Sequence, residues 1–212
     1  MDTTLTLLLN GSDNVYLNGI AMLATKAWLW VPLYAAIFYT LVREHSYRQF
    51  LIIVGGLLIA ILLADQISSS IVKPLVARLR PSHDPSIMHL VDVVEGYRGG
   101  RYGFFSSHAA NTSAITLYLA LIFRNRRVTV TLVAWTLLNC WTRLYLGVHF
   151  AGDIITGLVF GSTIGTVLYY AASRMVDSKN MHRTYSATRL SVITSTFLLT
   201  LVVISIPWKL MF

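Results

Sequence analysis

Residues 50–81 of the chain read FLIIVGGLLIAILLADQISSSIVKPLVARLRP. The apolar run Phe50–Val72 approaches the ~20 residues that an α-helix needs to cross the hydrocarbon core of a bilayer. It is followed at once by a basic cluster, Lys73–Pro81, that ends in an Arg-Pro pair. This stretch therefore predicts a membrane-spanning helix whose end carries fixed positive charge at the membrane surface.

The composition of the whole chain agrees with a membrane location. Of its 212 residues 55% are hydrophobic and 12% are charged, and the mean hydropathy is +0.62, whereas soluble domains carry about 25% charged residues. The net charge of +8 would suggest nucleic-acid binding in a soluble protein. Here the Lys and Arg residues lie in short clusters between apolar segments, as in membrane loops. The sequence therefore predicts an integral membrane protein with membrane lipids, and no nucleic acid, as its surroundings.

Five further apolar segments predict helices, and most of them approach the length of a membrane span. Together with Phe50–Val72 they predict an all-α, polytopic membrane bundle of about six transmembrane helices, formed as a single domain over residues 1–212. The motif-bearing core covers about residues 20–172, and the last segment adds a C-terminal transmembrane helix. The five are Ile20–Val42, Ala109–Phe123 (expected to start within the preceding Ser-Ser-His), Val128–Leu146, Ile154–Ala172 and Leu190–Trp208.

Basic residues in alternate connections predict the orientation of the chain. They lie between the first and second spans, the third and fourth, and the fifth and sixth, and the positive-inside rule places these connections in the cytoplasm. Both chain ends and the connections that carry Lys73 and Arg143 then lie on the outer side. The cytoplasmic set is Arg43, Arg48, Arg124, Arg126, Arg127, Arg174, Lys179, Arg183 and Arg189.

The N-terminal segment, Met1–Asn14, is expected to lie on the membrane surface. It lacks the basic start of a cleaved signal peptide. Its Leu-rich patch is too short to cross a bilayer.

Gly157, Gly161 and Gly165 recur every fourth residue in the fifth span. Such a row of small residues lets another helix approach closely. The neighbouring helix can belong to the same chain or to a second copy, and we prefer packing within the chain. We accordingly expect a monomer or a weak homodimer.

The basic cluster offers two cations for a common site. Lys73 and Arg80 are seven residues apart, which in a helix places them on one face. Pro81 disfavours helical geometry at Arg80 and marks the end of the helix. Pro74 either starts a helical turn or kinks a helix that continues from the second span. Arg78 is expected to extend its long side chain to the membrane interface.

The tripeptide Ser106-Ser107-His108 precedes the third apolar segment. Serine commonly caps a helix N-terminus, where free backbone N–H groups and the helix dipole favour an anion. His108 would then stand in the first turn, beside a bound phosphate.

His149 and Asp153 are four residues apart and share a helix face. A carboxylate bonded to one imidazole nitrogen fixes the tautomer and leaves the other nitrogen free to attack. Arg143, just upstream, can hold phosphate oxygens through paired hydrogen bonds. With Lys73 and Arg80, these are the groups needed to bind a phosphate dianion and attack its phosphorus through a histidine.

These three stretches resemble the motifs of the type 2 phosphatidic acid phosphatase (PAP2) family, which shares its pocket with vanadium haloperoxidases. The family's motifs are Lys-x6-Arg-Pro, Pro-Ser-Gly-His and Ser-Arg-x5-His-x3-Asp. The chain keeps the charged residues and the histidines of all three, but Phe105 replaces the proline, Ser107 the glycine and Thr142 the serine. The departures touch loop shape more than charge. Glycine allows the closest approach of the backbone to a phosphate, so Ser107 changes that contact most.

The resemblance implies a PAP2/vanadium-haloperoxidase-like helical core and a role for each motif residue. His149 would be the nucleophile that forms a phosphohistidine, and Asp153 would orient it. His108 would protonate the leaving oxygen and then activate water. The phosphate oxygens would be held, as charge develops on them, by Lys73, Arg80, Ser106, Ser107 and Arg143.

The resemblance also implies no metal and no cofactor. The sequence agrees, because it contains no carboxylate cluster suited to magnesium. Cys140 is the single cysteine, which excludes a Cys-based structural zinc site and an intramolecular disulfide.

Two polar features lie outside the motifs. Asp65 stands in the second span, where polar groups are costly, and we assign it a structural role such as a hydrogen bond to a neighbouring helix. Residues 82–105 form the only long polar connection. We expect this connection and the groove between the spans to select the substrate.

The sequence thus predicts a metal-independent lipid phosphatase of the bacterial inner membrane, with its active site on the periplasmic face. The substrates that the resemblance implies are undecaprenyl diphosphate, phosphatidylglycerol phosphate, phosphatidic acid and lipid A 1-phosphate. One alternative is transfer of the phosphate from one lipid to another. A second is a transporter that binds an anion, but anion binding alone needs only the cations and gives the two histidines no role.

Overall fold

The computed structural model describes residues 1–11, 14–176 and 185–206 of the chain. The described residues are 78% helical and contain no β-strand beyond one isolated bridge between Leu79 and Tyr102. The all-α prediction is therefore confirmed. The α-helices in these residues are α1 (Asp2–Leu9), α2 (Val15–Ala24), α3 (Val31–Glu44), α4 (Tyr47–Gln66), α5 (Lys73–Val76), α6 (Ser107–Phe123), α7 (Arg126–Tyr145), α8 (Ala151–Met175) and α9 (Ala187–Ser205).

The first predicted span, Ile20–Val42, is not one continuous helix. α2 and the helical stretch Ala27–Glu44 meet at an angle of 72°. Pro32 lies in the first turn of α3, the position where a residue without an N–H is tolerated. Trp30 Nε1 donates to Ala24 O (2.9 Å) and pairs a carbonyl that the end of α2 leaves open. The predicted segment therefore contains a break, because the chain turns sharply after α2.

The second span is continuous and reaches the basic cluster. α4 passes through a π-helical segment, Ile67–Val72, directly into α5. Pro74 lies in the first turn of α5 and has no N–H for the carbonyl four residues earlier. The wider π-helical turn comes just before this proline. Of the two alternatives for Pro74, the structure shows continuation from the second span.

α6 and α8 pack closely at the centre of the bundle. A Cβ atom added at Gly157 would lie 2.6 Å from Ser106 O, and one at Gly161 or Gly165 would collide with other carbonyl oxygens of α6. The row of glycines thus lets two backbones meet within the chain, which confirms the preferred interpretation of this pattern. The close contact also sets the start of α6 against the start of α8, where the site residues lie.

Three helices are long and apolar enough to cross a membrane in the described part of the chain, and the bent α2–α3 pair would be a fourth if it counts as one span. α6 has 17 residues, so the number of six spans stays a prediction. Trp208, the expected end of the last span, lies outside the described residues. The three helices are Tyr47–Val76, Ala151–Met175 and Ala187–Ser205. Their exposed surfaces carry large apolar side chains such as Leu62, Val159 and Leu199, as in a helical membrane protein.

The N-terminal helix α1 accepts hydrogen bonds from the start of α8. Asp2 Oδ1 accepts from Gly152 N (2.8 Å), and Thr6 Oγ1 accepts from Ala151 N (3.0 Å). These N–H groups belong to the first turn of α8, where a helix has no backbone partner for them. α1 therefore caps the helix that carries Asp153.

Candidate active site

The three motifs that the sequence singles out meet at one end of the bundle. Lys73 Nζ donates to Ser107 Oγ (3.0 Å), which joins the first motif to the second. Ser106 N donates to Asp153 O (3.1 Å), which joins the second to the third. Every predicted site residue is brought into this region, which holds Lys73, Arg80, Ser106, Ser107, His108, Arg143, His149 and Asp153.

Lys73 and Arg80 reach the site from different backbone geometries, contrary to the prediction of a shared helix face. α5 ends at Val76, and Ala77 adopts the left-handed conformation with φ 49°. The chain then runs extended to Arg80, where φ is −73° and ψ is 156°. The extended geometry is the one that a following proline imposes. Arg80 Nε donates to Tyr102 O (3.1 Å), so the long connection also holds this cation.

The N-terminus of α6 supplies hydroxyl and backbone donors. Ser106 is fully buried and caps the helix as predicted, with Oγ accepting from Ala109 N (3.4 Å). Ser107, which stands where the PAP2 motif has glycine, adds a hydroxyl that accepts from Lys73 Nζ. The substitution therefore fixes an ammonium group beside the positive end of a helix, where an anion is favoured.

Arg143 is a buried cation, and one of its guanidinium nitrogens makes no hydrogen bond with the described residues. Its side chain is 1% exposed. Nε donates to Thr142 Oγ1 (3.2 Å) and Nη1 to Tyr97 OH (3.5 Å), while Nη2 has no partner among the described residues. None of the ion pairs found in that part of the chain involves Arg143. Since a buried charge without a counter-charge is costly, Arg143 is suited to an anionic ligand.

His149 lies in the loop between α7 and α8 and is 1% exposed. Its Nδ1 lies 3.5 Å from Asp153 Oδ2. Burial, and then the positive charges of Arg80, Lys73 and Arg143, hold the pKa of His149 well below its usual range, although a backbone hydrogen bond to Gly103 acts in the opposite direction. The imidazole is therefore neutral at neutral pH, the form that has a free electron pair.

The Asp153 carboxylate contacts Phe150 and Arg78 as well as the predicted partner His149. It is fully buried, and its Oδ2 accepts from Phe150 N (3.0 Å) in addition to facing His149. Its Oδ1 accepts from Arg78 Nη1 (2.8 Å). Each oxygen of the Asp153 carboxylate thus accepts a hydrogen bond, which fixes the orientation of the carboxylate beside His149.

Arg78 is the site residue that sequence reasoning missed. The prediction that it extends to the membrane interface is wrong, because its guanidinium bridges Asp153 and Asp2 (2.7 Å) and lies over the Phe150 ring, 4.0 Å from the centroid. The extra arginine in the basic cluster was the available signal. The partner carboxylates were not evident, because Asp2 lies at the far end of the chain.

Asp2 is held in its charged form by the same contact. Burial acts to raise the pKa of Asp2, but the hydrogen bonds from Arg78 and Gly152 and the charge of Arg78 outweigh burial and lower it. Asp2 is therefore ionised at neutral pH, and its ion pair with Arg78 joins α1 to the site.

His108 stands in the first turn of α6, as predicted, with an exposed side chain. It lines a cavity of about 630 Å³ that lies between α3, α4, α6 and α7. Asp65 lines the same cavity and accepts from Asn111 Nδ2 (3.3 Å), the contact to a neighbouring helix that the sequence predicted for it. The site thus opens into a space within the helical bundle.

The connection 82–105 packs over the phosphate-binding side chains. Tyr97 contacts Arg143, and Tyr102 contacts Arg80. Gly99 has φ +64°, and a Cβ atom there would lie 2.8 Å from Arg80 Nη1. Only glycine combines that backbone conformation with such a close approach, so this loop is shaped to the cations.

Comparison with known proteins agrees with this geometry. The PAP2 superfamily matches residues 50–177 of the chain. The chain belongs to the PAP2 superfamily. It is therefore a phosphatase, a phosphoric ester hydrolase, built on a helical membrane fold.

Proteins of known function that are similar to the chain are also phosphatases. A lipid A 4′-phosphatase of Porphyromonas gingivalis is 40% identical over 182 residues, which are 84% of this chain and 77% of that protein. A lipid A 4′-phosphatase of Bacteroides thetaiotaomicron is 38% identical over 82% of this chain and 78% of its own length. An undecaprenyl-diphosphatase of Sulfolobus acidocaldarius is 26% identical over 74% of this chain and 71% of its own. No solved structure matches the chain.

Proposed function

We propose that this PAP2 phosphatase hydrolyses the 4′-phosphate monoester of lipid A through a phosphohistidine at His149. The observation that carries the proposal is the neutral, buried His149 in the middle of three cations, backed by Asp153. Binding of a phosphate dianion needs the cations, and displacement at phosphorus needs the histidine. The names of the two lipid A 4′-phosphatases, which align over more than four fifths of the chain, support the choice of substrate.

The phosphate would supply a counter-charge to three cations that form no ion pair with the described residues. Lys73, Arg80 and the unused Nη2 of Arg143 would bind its oxygens, and the Ser106 and Ser107 hydroxyls with the first-turn N–H groups of α6 would complete the cradle. Charge on these oxygens increases as the phosphorus is attacked. Fixed donors in a largely buried site stabilise that state without reorganising.

His149 would attack through Nε2, because Nδ1 faces the Asp153 carboxylate. Nδ1–H would donate to Asp153 while the Nε2 electron pair forms a bond to phosphorus and the bond to the sugar oxygen breaks. His108 would give its proton to that oxygen. In the second step a water molecule gives a proton to His108 and attacks phosphorus, the N–P bond breaks, and neutral His149 and inorganic phosphate remain. The cations carry the charge throughout, so this route uses no metal.

The cavity beside His108 supports a lipid substrate. Its lower walls are apolar side chains of α3, α4 and α6, among them Phe38, Leu58 and Leu119. An acyl chain of a bound lipid can enter this space while its phosphate stays at the site, since apolar chains favour apolar surroundings.

The site would face the periplasm. Arg126 and Arg174 lie at the ends of α7 and α8 opposite to the motif residues Arg143 and Asp153, and Arg43 lies at the end of α3. By the positive-inside rule these basic residues would mark the cytoplasmic side. Lys179 and Arg183, which the sequence assigns to the same side, lie outside the described residues. A periplasmic site would act on lipids of the outer leaflet of the inner membrane.

The test is phosphate release by the purified protein in detergent from matched lipids. The panel contains lipid A 4′-phosphate, lipid A 1-phosphate, undecaprenyl diphosphate, phosphatidylglycerol phosphate and phosphatidic acid. We expect lipid A 4′-phosphate to have the highest kcat/KM, with activity retained in EDTA and inhibited by orthovanadate. Preference for another lipid would overturn the substrate, and phosphate that appears on an acceptor lipid rather than in solution would indicate a phosphotransferase. Complete loss in EDTA with recovery in magnesium would overturn the mechanism.

A further inference from the structure

The cavity beside the active site is polar at its upper end and apolar below. Along α6 its lining changes from Ser107, His108 and Asn111 to Ile115 and Leu119. At the helical rise of 1.5 Å per residue this lining extends for about 18 Å. A uniform site for a hydrocarbon chain would not need the polar upper part.

Two buried polar atoms of residues that line this cavity have no partner among the described residues. They are Asn111 Oδ1, an acceptor, and Trp135 Nε1, a donor, and both are buried. Both residues line the cavity. Buried polar groups without hydrogen bonds are rare in folded proteins and call for an explanation.

The neighbouring hydrogen bonds do not use these two atoms. Asn111 Nδ2 donates to Asp65 Oδ1 (3.3 Å), which directs the amide so that its oxygen stays open. Asn139, which lines the same region, uses its Nδ2 for Trp135 O (2.9 Å). Trp135 is 1% exposed and is held edge-on by Trp30 and Tyr34, with ring centroids 6.2 Å and 6.0 Å away. The Asn111, Asn139 and Trp135 side chains are therefore held in place by their neighbours.

We propose that Asp65, Asn111, Trp135 and Asn139 form a polar subsite that binds a hydrogen-bonding group of the substrate close to its phosphate. An open acceptor and an open donor match a hydroxyl or an amide, which can both donate and accept. A sugar-based lipid supplies such groups on its ring and on the first atoms of its acyl chains. The inference rests on the proposed function and adds the chemical feature of the lipid that the enzyme reads.

The subsite would select against polyprenyl phosphates. Beyond its phosphates a polyprenyl diphosphate presents only hydrocarbon, so it offers no hydrogen-bond partner to the two buried polar atoms. A site built to hydrogen-bond a substrate group rejects an analogue that lacks it far more strongly than an apolar pocket rejects an extra methylene.

The test compares two substrates in the same detergent micelles, lipid A 4′-phosphate and undecaprenyl diphosphate. Asn111→Leu removes the acceptor at similar volume, and Trp135→Phe removes the donor but keeps an aromatic ring. We expect each variant to lose about tenfold or more in kcat/KM for lipid A 4′-phosphate and to change less than about threefold for undecaprenyl diphosphate. Gln66→Leu is the matched control, because Gln66 is exposed, accepts from Ser70 Oγ (2.9 Å) and is not part of the cavity lining.

Three results would overturn the inference. Equal losses for both lipids in both variants would show a structural role, and kcat/KM values that stay at the wild-type level for both lipids would show that no substrate group occupies the subsite. In either case a wild-type enzyme that cleaves lipid A 4′-phosphate leaves the proposed function intact. A wild-type enzyme inactive on lipid A 4′-phosphate would overturn both proposals.

Discussion

Arg78 Nη1 lies 2.8 Å from Asp153 Oδ1, so the carboxylate that faces His149 is also ion-paired to an arginine at a variable position of the first PAP2 motif. The second guanidinium nitrogen of Arg78 binds Asp2, 2.7 Å away on α1. The N-terminal helix, which also caps α8 through Asp2, is thereby linked to the orientation of the histidine. The hydrogen bonds of the Arg78 guanidinium among the described residues go to Asp153 and Asp2 and not to His108 or His149, so we assign it a positioning role.

Replacement of Arg78 should reduce turnover more than substrate affinity. In Arg78→Ala the Asp153 carboxylate loses one of its fixed donors, and we expect kcat to fall about 10- to 100-fold, as for groups that support a reacting residue, with KM changed little. Arg78→Lys should recover part of the loss, and Asp2→Asn should cost less than Arg78→Ala. Steady-state kinetics of the purified variants measure this. Arg174→Ala, an exposed arginine at the other end of α8, serves as the control. A rise in KM alone would contradict the positioning role.

The pH dependence should respond to Arg80. Burial and then the charge of Arg80 head the causes that lower the pKa of His149, and a lowered pKa keeps the nucleophile neutral until the pH falls below it. Arg80→Gln removes one positive charge, so the pKa of His149 should rise towards its ordinary value. The acid-side inflection of kcat/KM should therefore move to higher pH, together with a lower rate.

Profiles of kcat/KM against pH for wild type, Arg80→Gln and Arg101→Gln measure this shift. Arg101 is an exposed cation in the same connection, and its variant should keep the wild-type inflection. The titration of the substrate phosphate is common to all three proteins. An inflection that stays in place or moves to lower pH in Arg80→Gln would show that this charge does not set the state of His149.

Gly161 should tolerate no side chain. A Cβ atom there would collide with Ala110 O, whereas one at Gly55 meets nothing within 4 Å. Overpacking of this kind costs about 1–3 kcal/mol, so Gly161→Ala should lower the thermal midpoint in detergent by several degrees. Gly55→Ala should leave it unchanged or raise it slightly, because alanine favours a helix. Equal midpoints for the two variants would mean that α6 and α8 do not meet as closely as described.

The orientation can be tested by cysteine labelling. Cys140 is first replaced by serine, and single cysteines are introduced at the exposed positions Ser86 and Arg126. An impermeant thiol reagent should label the Ser86→Cys variant in intact cells and the Arg126→Cys variant only after the cytoplasmic side is opened. The reverse pattern would invert the topology and place the substrate in the cytoplasmic leaflet.

Most of the fold was predictable, because the length and composition of an apolar segment indicate whether its helix lies in lipid or in water. The pattern of Phe50–Val72 and the glycines of α8 led to the right helices and the right close contact. The bend after Ala24 was not evident, because it depends on a tertiary contact of Trp30 with that helix end. The end of α5 at Val76 depends on the left-handed conformation of Ala77, which alanine seldom adopts and sequence patterns do not indicate.

The candidate site was predictable as a set of residues but not as a network. The four-residue spacing paired His149 with Asp153, but the predicted shared helix face is wrong, because His149 lies in the loop before α8 and only Asp153 is in its first turn. Arg78 had no such local partner, since its carboxylates lie 75 and 76 residues away in the chain. The open atoms of Asn111 and Trp135 are properties of the packed bundle, and a sequence shows which groups are polar but not which are left unpaired.

The central claim is that the phosphoryl group passes through His149. The most direct measurement is acid-free quenching of the enzyme during turnover of lipid A labelled with ³²P at the 4′-phosphate, followed by analysis of the protein. We predict radiolabel on His149 that is stable to alkali and released by acid. The label should be absent from His149→Ala, and this variant should also release no phosphate. The control is His89→Ala, which replaces an exposed histidine outside the motifs and should keep the label. Wild-type-like phosphate release by a folded His149→Ala protein, or radiolabel on another residue, would contradict the account.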